Sequence, residues 1–400
     1  MEVYCGIDWA ELHHDVAVVD PAGRVLAQQQ IGDDPAGFAA LLVVLDGLAA
    51  ARREVGVALE IDHGLFVHAL REAGFRVFAI NPMAVDRYRD RYRVSRAKSD
   101  AVDALVLANL LRTDADRHRE IPADSDQALV VSVLARAHHD AVKERRRQTA
   151  RLRSALREFY PAAIEAFPDL TIKTALTVLS SAPTPGQALA LTREDVHALA
   201  RSCGRWGITL REVARLHRVL HQPRLRQPAP VEEAMGTAVA QLILSLRVLA
   251  VTISRLEAEL ASQLERHPDT PVLRSLPGVG VVLAGRMLSE FGDDPARFAN
   301  AASRRNYAGT APITKASGKG RVVLMRRVRN TRLFDTCRDW SFSAVNASPG
   351  ARALYQRRRE LGDGHEKALR RVGNTLVGQL DHCLRHHELY REETAWTLTA

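Results

Sequence analysis

Residues 2–20 read EVYCGIDWAELHHDVAVVD, and this stretch decides the fold of the N-terminal part. Two apolar, β-branched runs, EVYCGIDW (2–9) and HDVAVVD (14–20), flank a polar turn, which is the pattern of paired strands. Gly6 and Ile7 precede Asp8, so an acid closes the first strand where the backbone can be approached closely. Outward from there, Pro21-Ala22-Gly23-Arg24 turns the chain into a third strand-like run at 24–31. From Pro35 to about Ala50 the spacing of Phe38, Leu41, Leu42, Leu45 and Leu48 is helical. A fourth strand, VGVALEI (55–61), is followed by a helix over 64–73 and a short strand at 76–80 that stops at Asn81-Pro82. The next helix covers roughly 100–112.

Three strands, helix, strand, helix, strand, helix is the order of the RNase H-like (RuvC-like) α/β fold, in which the first and fourth strands are neighbours. That order brings four carboxylates to one place. Asp8 ends the first strand, Glu60 ends the otherwise apolar fourth, and Asp100 and Asp103 start the next helix three residues apart on one face. Ionised carboxylates gathered in this way need cations, and hard Mg2+ or Mn2+ prefer carboxylate oxygen. Two such ions serve phosphodiester chemistry by activating the attacking oxygen and stabilising the leaving one. Taken singly, Asp100 also reads as a helix cap with Asp103 favouring the helix dipole, Asp8 as a turn cap and Glu60 as the partner of an arginine. Asp62 and His63, just past Glu60, read as loop residues or as outer support for the site.

Beyond Asp100 the strand signals nearly vanish. An Arg-rich helix covers about 125–158, and helical pieces continue to about 220, with a capping box of Thr192 and Asp195. The Pro-rich segment 222–230 (QPRLRQPAP) is the linker candidate. Leu242, Leu246, Leu249, Ile253, Leu256 and Leu260 then repeat as a heptad seam, which suits either an intramolecular bundle or a dimer contact. From 271 the chain turns to Gly-rich turns and short helices. The expected organisation is therefore an RNase H-like catalytic domain over 1–115, a helical or coiled-coil region over 116–270, and a mostly helical C-terminal domain over 271–400. In that last domain Leu276-Pro277-Gly278-Val279-Gly280, before an apolar helix, reads as a helix-hairpin-helix-like turn, with Gly278 and Gly280 offering backbone N–H groups to a phosphate. A plain turn between packed helices gives the same string.

The charge balance, 56 Lys+Arg against 47 Asp+Glu for a net +9, points to a polyanionic partner. Three basic stretches carry it. Arg87, Arg89, Arg91, Arg93, Arg96 and Lys98 interleave with Tyr88 and Tyr92, a composition suited to phosphate contacts and base stacking. Lys143, Arg145, Arg146, Arg147, Arg151, Arg153 and Arg157 form either a solvated helix face or a nucleic-acid track. Between Asp294 and Asp335 there is no acid, while Lys315, Lys319, Arg321, Arg326 and Arg327 stand among ten cations. Ser317-Gly318-Lys319-Gly320 is no Walker A loop, lacking the earlier Gly and the following Ser/Thr. Cys5, Cys203, Cys337 and Cys383 include no CxxC pair, which argues against a disulfide framework or zinc site. With no leader pattern and no apolar stretch near the ~20 residues of a bilayer span, the expectation is a cytoplasmic protein without a membrane partner.

These residues resemble a known family: insertion-sequence transposases with a DEDD, RuvC-like domain and a C-terminal serine domain, the bridge-RNA-guided recombinases of the IS-one-ten group. The resemblance rests on Gly6-Ile7-Asp8, Glu60 and Lys98-Ser99-Asp100-Ala101-Val102-Asp103-Ala104 at one end. At the other it rests on Leu276–Gly280, Tyr307-Ala308-Gly309-Thr310-Ala311-Pro312, Ser317-Gly318-Lys319 and Ser348-Pro349-Gly350-Ala351-Arg352. Between about 160 and 270 only helical character matches, and Arg326-Arg327-Val328-Arg329-Asn330 lacks the glycine of the family's pattern. The resemblance implies that the four acids bind Mg2+ and that Ser317 attacks the scissile phosphate, giving a covalent protein–DNA intermediate. It also implies donor and target DNA paired to a structured noncoding guide RNA. A homo-oligomer, dimer or tetramer, would supply serine and acids from different subunits. Lys315 and Lys319 would screen the phosphate, with Thr310, Thr314 and Ser303 as competing hydroxyls. The rival readings are a Holliday-junction-resolvase-like metal nuclease, separated by its lack of a covalent adduct, and an actin-like sugar kinase or ATPase. The latter needs a second phosphate loop that the chain does not offer.

Overall fold

In the computed structural model, residues 2–92, 100–318 and 320–396 are described, without the side chains of residues 90–92 and 100. The chain divides into two units, Met1–Ala123 and Asp124–Ala400. The first expected boundary, at 115, falls close to this division; the second, at 270, falls inside unit 2.

Unit 1 is a five-stranded mixed sheet in the order β3-β2-β1-β4-β5. Its strands are β1 (Val3–Trp9), β2 (His13–Val19), β3 (Val25–Gly32), β4 (Val55–Leu59) and β5 (Arg76–Ala79). The first three pair antiparallel, while β1–β4 and β4–β5 are parallel. Alternation along β1 sorts its side chains. Val3, Cys5 and Ile7 enter a core with Leu41 and Leu45 of α1 (Pro35–Leu48) and Phe66 and Leu70 of α2 (Leu65–Glu72). Helix α1 starts where it does because the Asp34 carboxylate accepts the Gly37 N–H at 2.6 Å and Pro35 takes the first turn. The other face of the sheet packs Ala58 and Phe78 against Val85 and Tyr88 of α3 (Pro82–Tyr92) and Leu107 and Leu111 of α4 (Asp100–Asp114).

Unit 2 is strung on two long helices, α5 (Asp126–Phe159) and α11 (Ala229–Leu264). Two cores share the pair. Leu152, Leu156 and Phe159 of α5 join Val239, Ile243 and Leu246 of α11 and the short helices between them. Those are α6 (Pro161–Ala166), α7 (Lys173–Ser181), α8 (Pro185–Leu189), α9 (Arg193–Ser202) and α10 (Leu210–Leu220). At the other end Ala128, Val131 and Ala135 of α5 meet Leu260 and Leu264 of α11, so the long helices run antiparallel. That second core is completed by α12 (Thr270–Ser275), α13 (Val281–Phe291), α14 (Ala301–Tyr307), α15 (Thr331–Ala347), α16 (Pro349–Glu360) and α17 (His365–His386), with α18 (Glu392–Trp396) after it.

Several expectations change here. The Pro-rich 222–230 segment divides no compact bodies: the chain on both sides of it enters one core, and Arg226 Nε donates to buried Glu232 at 2.9 Å. The seam residues Leu246, Ile253 and Leu260 are buried within the chain, on a helix that packs with α5. Helix α11 does contain a stretch long and apolar enough to cross a membrane by length and composition, contrary to the sequence reading. Gln241 and Arg247 interrupt the run, so the sequence shows no unbroken apolar stretch there. Only 28% of that window is buried, and Leu244, Val248 and Val251 lie exposed. Where only turns and short helices were expected, a β-hairpin forms from β6 (Ile313–Ser317) and β7 (Gly320–Leu324). The Thr192–Asp195 capping box forms as expected, opening α9. All four cysteines are free.

Candidate active site

The parallel register of β1 and β4 places the first two acids. Gly6 stands opposite Ala58, the last registered pair, and Asp8 and Glu60 each lie two residues further on. Since side chains alternate, Asp8 takes the face of Gly6, the face covered by α4, and Glu60 follows directly on Leu59, the last residue of β4, at the same end of the sheet. Gly6 is required there: a Cβ on it would stand 2.0 Å from the Ala104 carbonyl oxygen and 2.4 Å from the Ala108 nitrogen. The direction of α4 follows from its far end. Arg112 Nη1 donates to the Pro21 carbonyl at 3.3 Å, at the β2–β3 turn beside the start of β1. The first turn of α4, carrying Asp100 and Asp103, therefore sits toward the end of β1 where Asp8 lies. Asp8 is half-buried and Glu60 exposed.

Asp103 is 5% exposed, and Arg89 Nη2 stands 2.8 Å from its Oδ1, with Asp86 3.1 Å from the same guanidinium. Arg89, expected on a nucleic-acid surface, is thus turned to two acids of its own unit. Tyr88, expected to stack on bases, is a core residue at 6% exposure. Arg87 is exposed. The side chain of Arg91, and Arg93 and Lys98 altogether, lie outside the described residues. Among the described side chains no three acids, histidines or cysteines form a metal-holding group, and the Asp100 side chain is not among them. The donor set is all carboxylate, which suits a hard cation and not zinc or copper. One acid was overlooked in the sequence: the antiparallel register sets Asp15 directly opposite Asp8. Directly opposed residues share a face with Cβ atoms about 5 Å apart. The alternation of HDVAVV, with valines on the core face, carried that signal.

In unit 2 the Gly-rich turn joins α12 to α13. Gly278 has φ 71°, and a Cβ there would stand 2.7 Å from the Ser343 carbonyl carbon, so the turn is pressed on α15. Trp340 Nε1 donates to the Pro277 carbonyl at 3.0 Å. Gly280 precedes the first turn of α13 with open space where a side chain would be. Ser317 pairs with Gly320 at the tip of the β6–β7 hairpin, closed by Gly318 at φ 55°, and is exposed. Lys315, Arg321 and Arg327 are exposed, and Lys319 lies outside the described residues. The competing hydroxyls are otherwise engaged: Ser303 closes the capping box of α14, and buried Thr310 donates to the Arg305 carbonyl at 3.3 Å. Thr314 is exposed within β6.

The acid-free segment is partly structural. Arg297 pairs with Asp124 at 3.1 Å, Arg304 with Asp381 at 2.9 Å, and Arg332 with Asp140 at 3.1 Å. Burial pulls the Arg304 guanidinium below its ordinary range, and Asp381 opposes that shift. Arg326 donates to the Asn306 side chain at 3.0 Å. The segment's neutralising acids lie far off in sequence, which is why it read as wholly free charge.

Residues 5–161 match a DEDD transposase family of IS110, and residues 270–356 match the family described as transposase IS116/IS110/IS902. The two matches, one in each half of the chain, identify a transposase. The chain is similar over 99% of its length to the IS117 mini-circle transposase of Streptomyces coelicolor, at 45% identity and 97% of the relative. It is 30% identical over 97% of its length to the 43.6 kDa protein of insertion element IS110 from the same organism, covering 95% of that chain. It is 26% identical to the 42 kDa protein of IS900 from Mycobacterium paratuberculosis, with 98% of each chain covered. The chain belongs to the IS110/IS116/IS902 transposase family.

Proposed function

We propose that this transposase cleaves and rejoins DNA strands to move an insertion sequence, with Asp8, Glu60, Asp100 and Asp103 holding Mg2+ or Mn2+ and Ser317 as the nucleophile. The observation that carries the reading is the register of β1 and β4, which brings Asp8 and Glu60, just past β4, to the end of the sheet toward which the first turn of α4, with Asp100 and Asp103, is directed. The strand order β3-β2-β1-β4-β5 supports an RNase H-like assignment for unit 1. When bound, the cations would polarise the scissile phosphate. Asp103 contributes with Arg89 beside it, so ligation there involves loosening that ion pair.

In the proposed step the Ser317 hydroxyl oxygen bonds to phosphorus as the bond to the leaving strand's oxygen breaks, and the hydroxyl proton ends on that oxygen. Reversal on a second strand's hydroxyl releases the serine and completes the exchange. Its place at a glycine-closed hairpin tip supports Ser317 over Ser303 and Thr310, and exposed Lys315 and Arg321 are placed to screen phosphate charge. The α12–α13 turn has a helix-hairpin-helix-like sequence; Gly280, with open space beside it, is the better phosphate contact and Gly278 the packing residue. Guidance by an element-encoded RNA, a dimeric or tetrameric assembly, and action in the bacterial cytoplasm complete the reading by family likeness.

The test is a plasmid carrying the element's ends, incubated with the protein, the RNA transcribed from the element and Mg2+. Wild type should give strand cleavage and a denaturant-resistant adduct. Ser317→Ala should lose the adduct while still binding DNA, and each of Asp8→Ala, Glu60→Ala, Asp100→Ala and Asp103→Ala should lose cleavage. Cleavage that persists in Ser317→Ala without an adduct would leave the resolvase-like chemistry standing instead.

A further inference from the structure

We propose that an open groove on the C-terminal half of α5 seats the phosphodiester backbone of duplex DNA, through residues other than the four acids and Ser317; this rests on the DNA-handling reading above. The groove is lined by Arg145, Arg146, Thr149, Ala150, Arg153 and Thr171. Its volume of about 330 Å³ holds roughly ten waters, room for a hydrated phosphate and its flanking sugar. Arg145, Thr149 and Arg153 recur every four residues and so share one face of the helix. Small residues, Thr149 and Ala150, lie between the arginines and let a backbone approach closely.

Most of the charge there makes no ion pair. From Arg145 to Arg157 no acid occurs in the sequence, and Arg147 is the member that pairs, with Glu144. Among the described residues no carboxylate comes within ion-pair distance of Arg145, Arg146, Arg151, Arg153 or Arg157. Arg153 is held in place by donating to the Pro168 carbonyl. The bordering acid, Asp169, makes no ion pair with these arginines and is engaged by the lining residue Thr171: its Oδ1 accepts the Thr171 hydroxyl at 2.7 Å and the Thr171 N–H at 2.8 Å. These bonds, with help from Arg145 and Arg153, hold its carboxyl below the usual range.

The spacing fits a duplex. Arg145 and Arg153 lie about 12 Å apart along the helix axis at 1.5 Å per residue. One DNA strand presents a phosphate about every 3.4 Å of duplex axis, so three or four phosphates pass over that length. The lining holds no aromatic ring, which removes the stacking platform that unpaired bases use.

The experiment uses the full chain and a 30-base-pair duplex of arbitrary sequence, with affinity measured by fluorescence anisotropy across salt. The triple variant Arg145→Gln, Arg146→Gln, Arg153→Gln should flatten the slope of log affinity against log salt by between about 2 and 3, near 0.9 per lost phosphate contact. A control of equal charge change, Arg193→Gln, Arg211→Gln, Arg218→Gln, uses exposed arginines of α9 and α10 and should keep the wild-type slope. Circular dichroism melts confirm that both variants fold. An unchanged slope in the groove variant, or an equal loss in the control, overturns the groove while leaving the DNA reading intact. Loss of binding to a duplex RNA of the same length, with DNA binding untouched, overturns the assignment to DNA. Wild type that binds no duplex DNA overturns both.

Discussion

At the scale of single residues, Gly6 and Arg89 decide how the acids are held. The sheet accepts α4 because Gly6 has no side chain, and an alanine there would meet the backbone of Ala104 and Ala108. Backbone cannot swing aside as a side chain can. Gly6→Ala should therefore destabilise unit 1 by about 1–3 kcal/mol or more, the cost of overpacking, read from urea melts. Arg89 supports Asp103 from inside the unit. Arg89→Ala should cost about 1–3 kcal/mol, for leaving the buried Asp103 carboxylate without its ion-pair partner, whereas exposed Arg87→Ala should stay within about 0.5 kcal/mol. Equal and small effects would mean that Arg89 is a surface cation after all. The alternation of Arg and Tyr over 87–92 was legible in the sequence, but the helical turn that sends Tyr88 and Arg89 inward was not.

Among the elements, the α5–α11 pair sets most of unit 2. Leu156 is fully buried among the short helices, and Leu156→Ala should cost about 2–5 kcal/mol by chemical denaturation. Helix α5 also carries a pH-sensitive pair. Burial first, and then the charge of Arg286, hold His138 and His139 below the ordinary histidine range. Their folded pKa values lie under the unfolded value of about 6.5, so the unfolded chain takes up protons first as pH falls. Stability from keeping them neutral is present above that value and is lost as pH drops toward the folded values. The melting temperature should fall between pH 7.5 and 5.5, and His139→Gln should flatten part of that fall. A melting temperature that is flat over this window would show that both histidines protonate without cost in the folded state.

Over the whole molecule, the cysteines report each unit separately. Burial pushes the Cys5 thiol in unit 1 and the Cys337 thiol in unit 2 up to about 12, so neither offers thiolate while folded. Cys203, half-buried after α9, is the accessible contrast. With a thiol reagent at neutral pH, Cys203 should react first, and Cys5 and Cys337 only as their own units unfold. Mass mapping of labelled peptides along a urea gradient then separates the two unfolding events. Labelling of Cys5 in native buffer at the rate of Cys203 would contradict the packed β1 core.

Local periodicity determined most of unit 1, though not α3 after Asn81-Pro82: strands of period two, helices of period 3.6 and turn residues between them each lie within a few neighbours in sequence. The acids at strand ends were legible for the same reason, since an ionised group after VGVAL stands out against its own segment. Tertiary structure alone decided what depends on distant partners. Gly6 against α4 and the pairing of Arg297, Arg304 and Arg332 with Asp124, Asp381 and Asp140 join residues many positions apart. The hairpin that lifts Ser317 to its tip belongs here too, because ITKAS and GRVVL have every position but Ile313 exposed and no buried face to impose an alternating pattern. Charge counted along the chain cannot tell a free arginine from a neutralised one; only the fold brings the acid that makes the difference.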